Sequence, residues 1–290
     1  MNTLKIIASG LLLATSLYSC GCQREKDPGT DLDAVKWETI DLSESYTDPG
    51  VAEALSEKGL GSSFRADLHL TFPVTEVQGE GAGSFADSVS VLLQRRLFPE
   101  DTLILSSPKE AMESFIDQRL EEFKADFGAA KGEGYSGELL AGFVNTIEMS
   151  DSIYYKEHNL FSILTTTEEY TGGAHGLQTS EALTVDFSKQ SLLTPELLFK
   201  EDSMGEIENL IFKELLKQNN ASTGEDLEEL GYFNFEEAKV TDNMLLTKEG
   251  IAFIYNPYEI AAYFVGTVRI TLPYSELSPF LSEEYSYLSK

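Results

Sequence analysis

Residues Phe64-Arg65-Ala66-Asp67-Leu68-His69-Leu70-Thr71-Phe72 alternate apolar and polar side chains without a break. A period of two sends successive side chains to opposite faces of an extended backbone, so this stretch requires a sheet with one dry face and one wet face. His69 falls on the wet face with Arg65 and Asp67, where a solvated histidine is the ordinary outcome. A strand of this kind needs neighbouring strands and an apolar cover to be stable.

The downstream sequence offers both. A helix is expected next, with Phe85, Val89, Leu92, Leu93 and Leu97 on one side. Ser107-Pro108-Lys109-Glu110 then reads as a helix start, with a capping serine, proline at the first helical position and a glutamate closing the capping box. Met112, Ile116, Leu120, Phe123 and Phe127 follow at helical spacing, and the four glycines of residues 128–137 mark a boundary. Residues 143–149, 160–170 and 177–187 read as strands of an antiparallel meander. Thr194-Pro195-Glu196 starts a helical turn, and Ser203 with Glu206 is expected to cap a helix burying Ile207, Leu210, Ile211 and Leu215. After an acidic loop at 224–231, residues 244–246 and 251–255 flank Lys248-Glu249-Gly250 as a hairpin, Asn256-Pro257-Tyr258-Glu259 breaks the pattern, and 268–272 is a last strand. Helices and strands in separate runs indicate an α+β fold, with antiparallel sheets packed against a few amphipathic helices. The division expected is a first subdomain at 61–137 and a second at 138–290.

The start of the chain carries an address. Lys5, an apolar run over 6–17 and then Leu17-Tyr18-Ser19-Cys20 read as a lipoprotein signal peptide over 1–19, with Cys20 as the lipid attachment site. Cys22 is the weaker candidate because the residue three before it is Ser19 rather than an aliphatic one. The run is too short for a membrane anchor, which takes about 20 apolar residues. Residues 20–60, broken by Asp27-Pro28-Gly29 and Asp48-Pro49-Gly50, read as a lipidated tether, although Val35-Lys36-Trp37-Glu38-Thr39-Ile40 can form a short strand that docks. The location expected is a bacterial membrane surface, the outer membrane of a Gram-negative cell, with the periplasmic and external orientations both open.

Composition narrows the chemistry. No cysteine follows Cys22, so the folded body has neither disulfides nor a thiolate for zinc or nucleophilic catalysis. With 49 acidic and 21 basic residues the formal charge is −28, which repels nucleic acid and attracts cationic proteins or peptides over long range. His69, His158 and His175 lack the spacing of a metal pair, and Gly134-Tyr135-Ser136-Gly137-Glu138 fails the serine-hydrolase elbow at its last position. No catalytic residue, metal ligand or cofactor is therefore assigned. A glycosidase reading needs two carboxyl groups about 5 to 9 Å apart in a cleft, which a sequence this acidic cannot single out.

The segment Tyr170-Thr171-Gly172-Gly173-Ala174-His175-Gly176 holds the candidate ligand-binding or structural motif: Tyr170, Gly172, Gly173, His175 and Gly176, with Tyr258 added from the later bend. Its glycines permit positive φ in a tight connection. His175 can act as a general base beside Tyr170, Tyr255 and Tyr258, or it can donate to backbone carbonyls and hold the turn. Tyr255, Tyr258 and Tyr263 form a second candidate surface, in which Tyr255 alternates with Phe253 toward the core and Tyr258 sits in a bend that exposes it.

The run from Tyr170 to Gly176, the strand through Val185-Asp186-Phe187 and the segment Thr247-Lys248-Glu249-Gly250-Ile251 through Tyr255-Asn256-Pro257-Tyr258-Glu259-Ile260 to Tyr263 resemble domain-of-unknown-function family 3298. Residues 64–135 resemble its usual upstream companion, family 4163. Similar paired domains form the extracellular part of lysozyme-sensing anti-sigma factors, and a related domain precedes the catalytic domain of some peptidoglycan deacetylases. The resemblance implies an α+β envelope module that holds lysozyme, another cationic envelope protein or peptidoglycan fragments, with no chemistry of its own. The chain lacks the sensors' transmembrane helix and the deacetylase domain, and it has Ser188-Lys189-Gln190 where relatives often have a Thr-Gly-Lys turn. Three readings follow: a lipid-anchored binding module, a glycan- or ester-cleaving enzyme using His175 or a carboxylate pair, and a structural or assembly lipoprotein.

Overall fold

The computed structural model describes residues 32, 35–74, 82–98, 107–233 and 238–290; the signal segment, Cys20 and Cys22 lie outside the described residues, as does the side chain of Phe85. A six-stranded sheet runs in the order β1 (Lys36–Tyr46), β2 (Phe64–Val74), β3 (Asn145–Glu157), β4 (Leu160–Tyr170), β5 (Leu177–Asp186) and β6 (Ser191–Leu192). A second sheet of three antiparallel strands holds β7 (Met244–Leu246), β8 (Gly250–Tyr255) and β9 (Val268–Pro273).

The alternating strand behaves as its pattern requires. Phe64, Ala66, Leu68, Leu70 and Phe72 of β2 are buried, while Arg65 and His69 are exposed. On the wet face the polar residues meet partners across β1, with Ser43 Oγ donating to Asp67 at 2.6 Å and His69 Nδ1 lying 2.5 Å from Asp41. A cover comes from α2 (Ala82–Leu97) and α3 (Pro108–Gly132), the latter started by Pro108 at its first position with Ser107 Oγ accepting the Glu110 N–H. Met112, Ile116, Phe123 and Phe127 are buried in the same apolar core as β2.

Three sequence expectations change at the level of the sheets. The stretch read as a tether contains β1, an 11-residue strand paired along its whole length with β2, and then α1 (Ala52–Glu57). Its apolar positions are sparse, but Ile40 and Leu42 face Leu70 and Leu68, and Trp37 stacks on Phe161 with ring centres 4.1 Å apart. The large sheet is mixed rather than antiparallel, because β2 and β3 pair in parallel. Among the described residues the α-helices α2 and α3 intervene between them, which is the crossover that parallel neighbours need. Residues 128–137 do not separate two cores: α3 continues to Gly132, and the first core gathers residues from Leu32 to Phe187.

The second core gathers α5 (Met204–Gln218) with α4 (Pro195–Leu198), α7 (Tyr274–Leu277) and the small sheet, with Ile207, Ile211 and Leu215 packed with Phe253, Ile270 and Leu272. On the other side of the small sheet Leu245, Ala252 and Ile254 meet Ala182 of β5. Every residue of β8 is therefore buried, and Gly250-Ile251-Ala252-Phe253-Ile254-Tyr255 shows no alternation because neither face is wet. Ser203 does not cap α5; its backbone is helical and its hydroxyl donates to the Lys200 carbonyl at 2.6 Å. The acidic segment expected as a loop folds into α6 (Gly224–Glu229), because Thr223 and Asp226 form a capping box that draws the acids into the first helical turn. Among the described residues no helix is long and apolar enough to cross a membrane.

Asp48 ties the turn after β1 to the end of α3. Its carboxylate accepts Lys131 Nζ at 2.9 Å and the Gly50 N–H at 2.8 Å, and the Lys131 hydrogen bond leads in holding its pKa below the ordinary aspartate value. A carboxyl with a lowered folded pKa contributes stability above its unfolded pKa and loses it as pH falls through the folded one. The Asp48→Asn variant is thus expected to be less stable than the native chain at neutral pH, with the difference starting to shrink as pH falls below about 4 and disappearing only below the lowered folded pKa. Urea unfolding at neutral and acid pH checks this.

Candidate functional site

The β4–β5 hairpin ends in the glycine-rich segment singled out above. Gly172 (φ +100°) and Gly173 (φ +91°) take left-handed backbone angles, and the Tyr170 hydroxyl donates to the Gly173 carbonyl at 3.0 Å. Gly176 lies so close to Glu169 that a β-carbon there would stand 2.8 Å from the Glu169 carbonyl oxygen. His175 is exposed, its Nδ1 donates to the Gly176 carbonyl at 2.9 Å, and its ring stacks on Tyr263 with centres 3.8 Å apart and planes 19° from parallel. The Tyr263 hydroxyl donates to the same carbonyl at 2.8 Å.

Tyr258 joins this group from the turn that follows β8. Its ring is stacked on Tyr263 at 6.0 Å and 27°, and the residue is 55% exposed. The three rings form a column, His175–Tyr263–Tyr258, along the surface where the hairpin tip meets the 256–263 segment. Tyr258 has φ +73°, a region that bulky L residues rarely occupy. The turn holds it there: the Tyr258 N–H donates to the Ala261 carbonyl at 2.9 Å, the Glu259 N–H to the Asn256 carbonyl at 3.1 Å, and Glu259 Oε2 accepts the Asn256 N–H at 3.0 Å. Tyr255, by contrast, is 3% exposed and donates to the Lys239 carbonyl at 2.7 Å, and burial raises its pKa well above that of a free phenol.

Two asparagines fix the tip relative to the small sheet. Asn256 accepts the Ser180 N–H at 2.7 Å and donates to the Ser180 carbonyl at 3.1 Å. Asn243 accepts the Ala182 N–H at 2.7 Å and donates to the Ser180 carbonyl at 2.9 Å. The pair thereby serves the edge of β5 that has no strand beside it over these residues.

A polar cleft of about 350 Å³ is lined among others by Arg96, Thr165, Glu181 and Asp242, and by Asn256 and Glu259 of the turn that holds Tyr258. Arg96, from the last turn of α2, pairs with Glu181 at 2.5 Å. Burial raises the Glu181 carboxyl above its ordinary pKa, with the Arg96 charge acting in the opposite direction. A second cavity, of about 510 Å³, opens at the β3–β4 turn and includes His158, Asp186, Glu284 and Tyr285. There Tyr285 donates to Asp186 at 2.8 Å and accepts Lys189 at 2.9 Å, and burial pushes its pKa up to about 12. His158 bonds the Tyr155 hydroxyl at 3.1 Å, while His69 is on the far wet face of the large sheet, so the three histidines occupy three separate places.

The structure brings Tyr170, Gly172, Gly173, His175, Gly176 and Tyr258 into one surface region. Sequence reasoning missed the cleft residues Arg96, Glu181 and Asp242, which come from three distant segments with no shared spacing. Asn243 left only a faint signal, an Asp-Asn pair before an apolar strand.

Residues 196–275 match the family model described as protein of unknown function (DUF3298). Over 143 residues the chain is 25% identical to the peptidoglycan-N-acetylmuramic acid deacetylase PdaC of Bacillus subtilis (strain 168), a match taking in 49% of this chain and 30% of that protein. The chain thus spans under a third of that relative's length. Two crystal structures share the fold. A member of the DUF3298 family from Bacteroides fragilis superposes with a TM-score of 0.73 at 22% identity, covering 89% of this chain and 98% of its own. A DUF3298 family protein from Pseudomonas aeruginosa PAO1 gives 0.59 at 15% identity, covering 88% and 98%.

Proposed function

We propose that this chain, which carries a DUF3298 match and shares the fold of DUF3298 structures, is an exported envelope protein that holds cell-wall glycan on the His175–Tyr263–Tyr258 column and performs no chemistry on it. Lipid on Cys20 tethers it to the membrane in this reading. The observation that carries the proposal is Tyr258, a large aromatic residue kept in a left-handed conformation with its ring more than half exposed. Backbone strain of this sort costs about 1–3 kcal/mol and persists where the surroundings over-determine it, typically at ligand sites. An exposed aromatic face can stack on the apolar face of a sugar ring, and the neighbouring polar cleft supplies hydrogen-bonding groups. The similarity to an enzyme named for peptidoglycan supports a cell-wall ligand.

The test uses the strain itself. Tyr258→Gly removes the ring and relaxes the positive φ, so its melting temperature is expected to equal or exceed that of the native chain. Its calorimetric affinity for N-acetylglucosamine–N-acetylmuramic acid oligomers is expected to fall at least about tenfold, about 1.4 kcal/mol. Unchanged affinity would remove the column as the site, and absence of binding by the native chain would remove the glycan reading. Cleavage of the oligomers, abolished by His175→Ala, would replace it with an enzyme. A second reading, capture of a cationic protein such as lysozyme, is favoured by the charge of −28 and predicts binding that weakens steeply with salt.

A further inference from the structure

The polar cleft has a composition of its own. Tyr258 stands between Asn256 and Glu259 in sequence, and both of those residues line the cleft, so the turn that carries the column's exposed ring also supplies part of the cleft's lining. Of the charged groups lining it, Arg96 and Glu181 answer each other at 2.5 Å. Asp242 and Glu259 are exposed and have no ion pair among the described residues; Glu259 accepts only the Asn256 N–H through one carboxylate oxygen. The cleft therefore carries uncompensated negative charge. Among its lining residues Thr165 is 2% exposed and its hydroxyl has no hydrogen-bond partner among the described residues. Buried hydroxyls are rarely left unpaired, and one lining a cleft is a group that a ligand can serve.

We infer that this cleft is the subsite for a protonated sugar amine, so that the glycan held on the column is one whose hexosamine has lost its N-acetyl group. The inference rests on the glycan reading above. An ammonium matches Asp242 and Glu259 in charge and donates three hydrogen bonds, whereas an acetamide brings no charge and a phosphate or carboxylate is repelled. The reaction class that supplies such a ligand is hydrolysis of the acetamide, with water consumed and acetate released.

The test compares two oligomers of equal length, N-acetylglucosamine tetramer and fully deacetylated glucosamine tetramer, by calorimetry with the folded protein at about pH 6 and moderate salt. The deacetylated oligomer is expected to bind at least about tenfold more tightly. In the Asp242→Asn, Glu259→Gln double variant the ratio of the two affinities is expected to fall to about one. The remote pair Glu53→Gln, Glu57→Gln, on exposed positions of α1, is expected to keep the preference. Equal or tighter binding of the acetylated oligomer by the native chain would overturn the inference and leave the column as a neutral-sugar site. Equal loss of preference in the α1 variant would also overturn it, because the selectivity would then come from overall charge. Binding of neither oligomer would overturn the inference, the glycan reading itself being decided by the titration with N-acetylglucosamine–N-acetylmuramic acid oligomers above.

Discussion

A chain that begins at Gly61 is expected to melt without a cooperative transition, whereas one that begins at Leu32 melts as a single folded unit. Circular dichroism on the two lengths is the measurement. The shorter chain loses β1 and with it the partner of β2 over 11 paired positions, which turns the most apolar strand of the first core into an open edge. It also loses Val51 and Leu55, both at most 2% exposed, each worth about 1.5–3 kcal/mol of burial. Trp37 leaves Phe161, and Asp48 leaves Lys131. Against a total stability of about 5–15 kcal/mol for a typical domain, these losses are decisive. A cooperative transition in the shorter chain would show that β1 is an appendage to the sheet and not part of it. The single tryptophan of the sequence is Trp37, so Phe161→Ala gives an independent readout: changed tryptophan fluorescence with a loss of about 3–5 kcal/mol.

The second large effect is expected at Asn256→Asp. The substitution preserves shape and keeps one oxygen facing the Ser180 N–H, but it removes the donor to the Ser180 carbonyl and sets a carboxylate oxygen against it. The Ser180 carbonyl keeps the bond from Asn243, so the cost is that of a carboxylate oxygen held against a carbonyl in a part-buried site, on the order of 1–3 kcal/mol. Destabilisation of about 2–3 kcal/mol at neutral pH is therefore expected, with faster amide exchange at Ser180. The pH dependence identifies the cause. Opposed to a carbonyl, the new carboxyl has its folded pKa raised, so stability is regained as pH falls through that value, and protonation restores a donor. The gap between variant and native chain should narrow below about pH 5. A gap that stays constant with pH would locate the damage elsewhere in the turn.

Particular residues show why some of this was readable in the sequence. The turn at Asn256-Pro257-Tyr258-Glu259, the burial of Tyr255 and the exposure of Tyr258 follow from alternation and a local break, and the structure has all three. The start of α3 at Ser107-Pro108 was legible because a cap uses residues adjacent in the chain. The Thr223–Asp226 box was as local, yet the density of acids around it reads as a loop. Gly250 gave no signal of its role: a β-carbon there would run into the Leu272 carbonyl of the neighbouring strand, a fact of sheet packing alone. The cleft was illegible for the same reason, since Arg96, Glu181 and Asp242 meet only after both sheets are assembled.

Local pattern was enough for the α+β class, the period-two strand at the heart of the first core, the hairpins and the column's exposed member Tyr258, because each depends on side chains within a few positions of one another. The folded chain was needed to show that β1 is part of the large sheet, that β2 and β3 run parallel, and that His175, Tyr263 and Tyr258 stack in a column whose turn also lines a negatively charged cleft. Those features depend on pairing between distant segments, where burial of apolar faces and satisfaction of strand edges are settled by the whole fold and not by any local pattern.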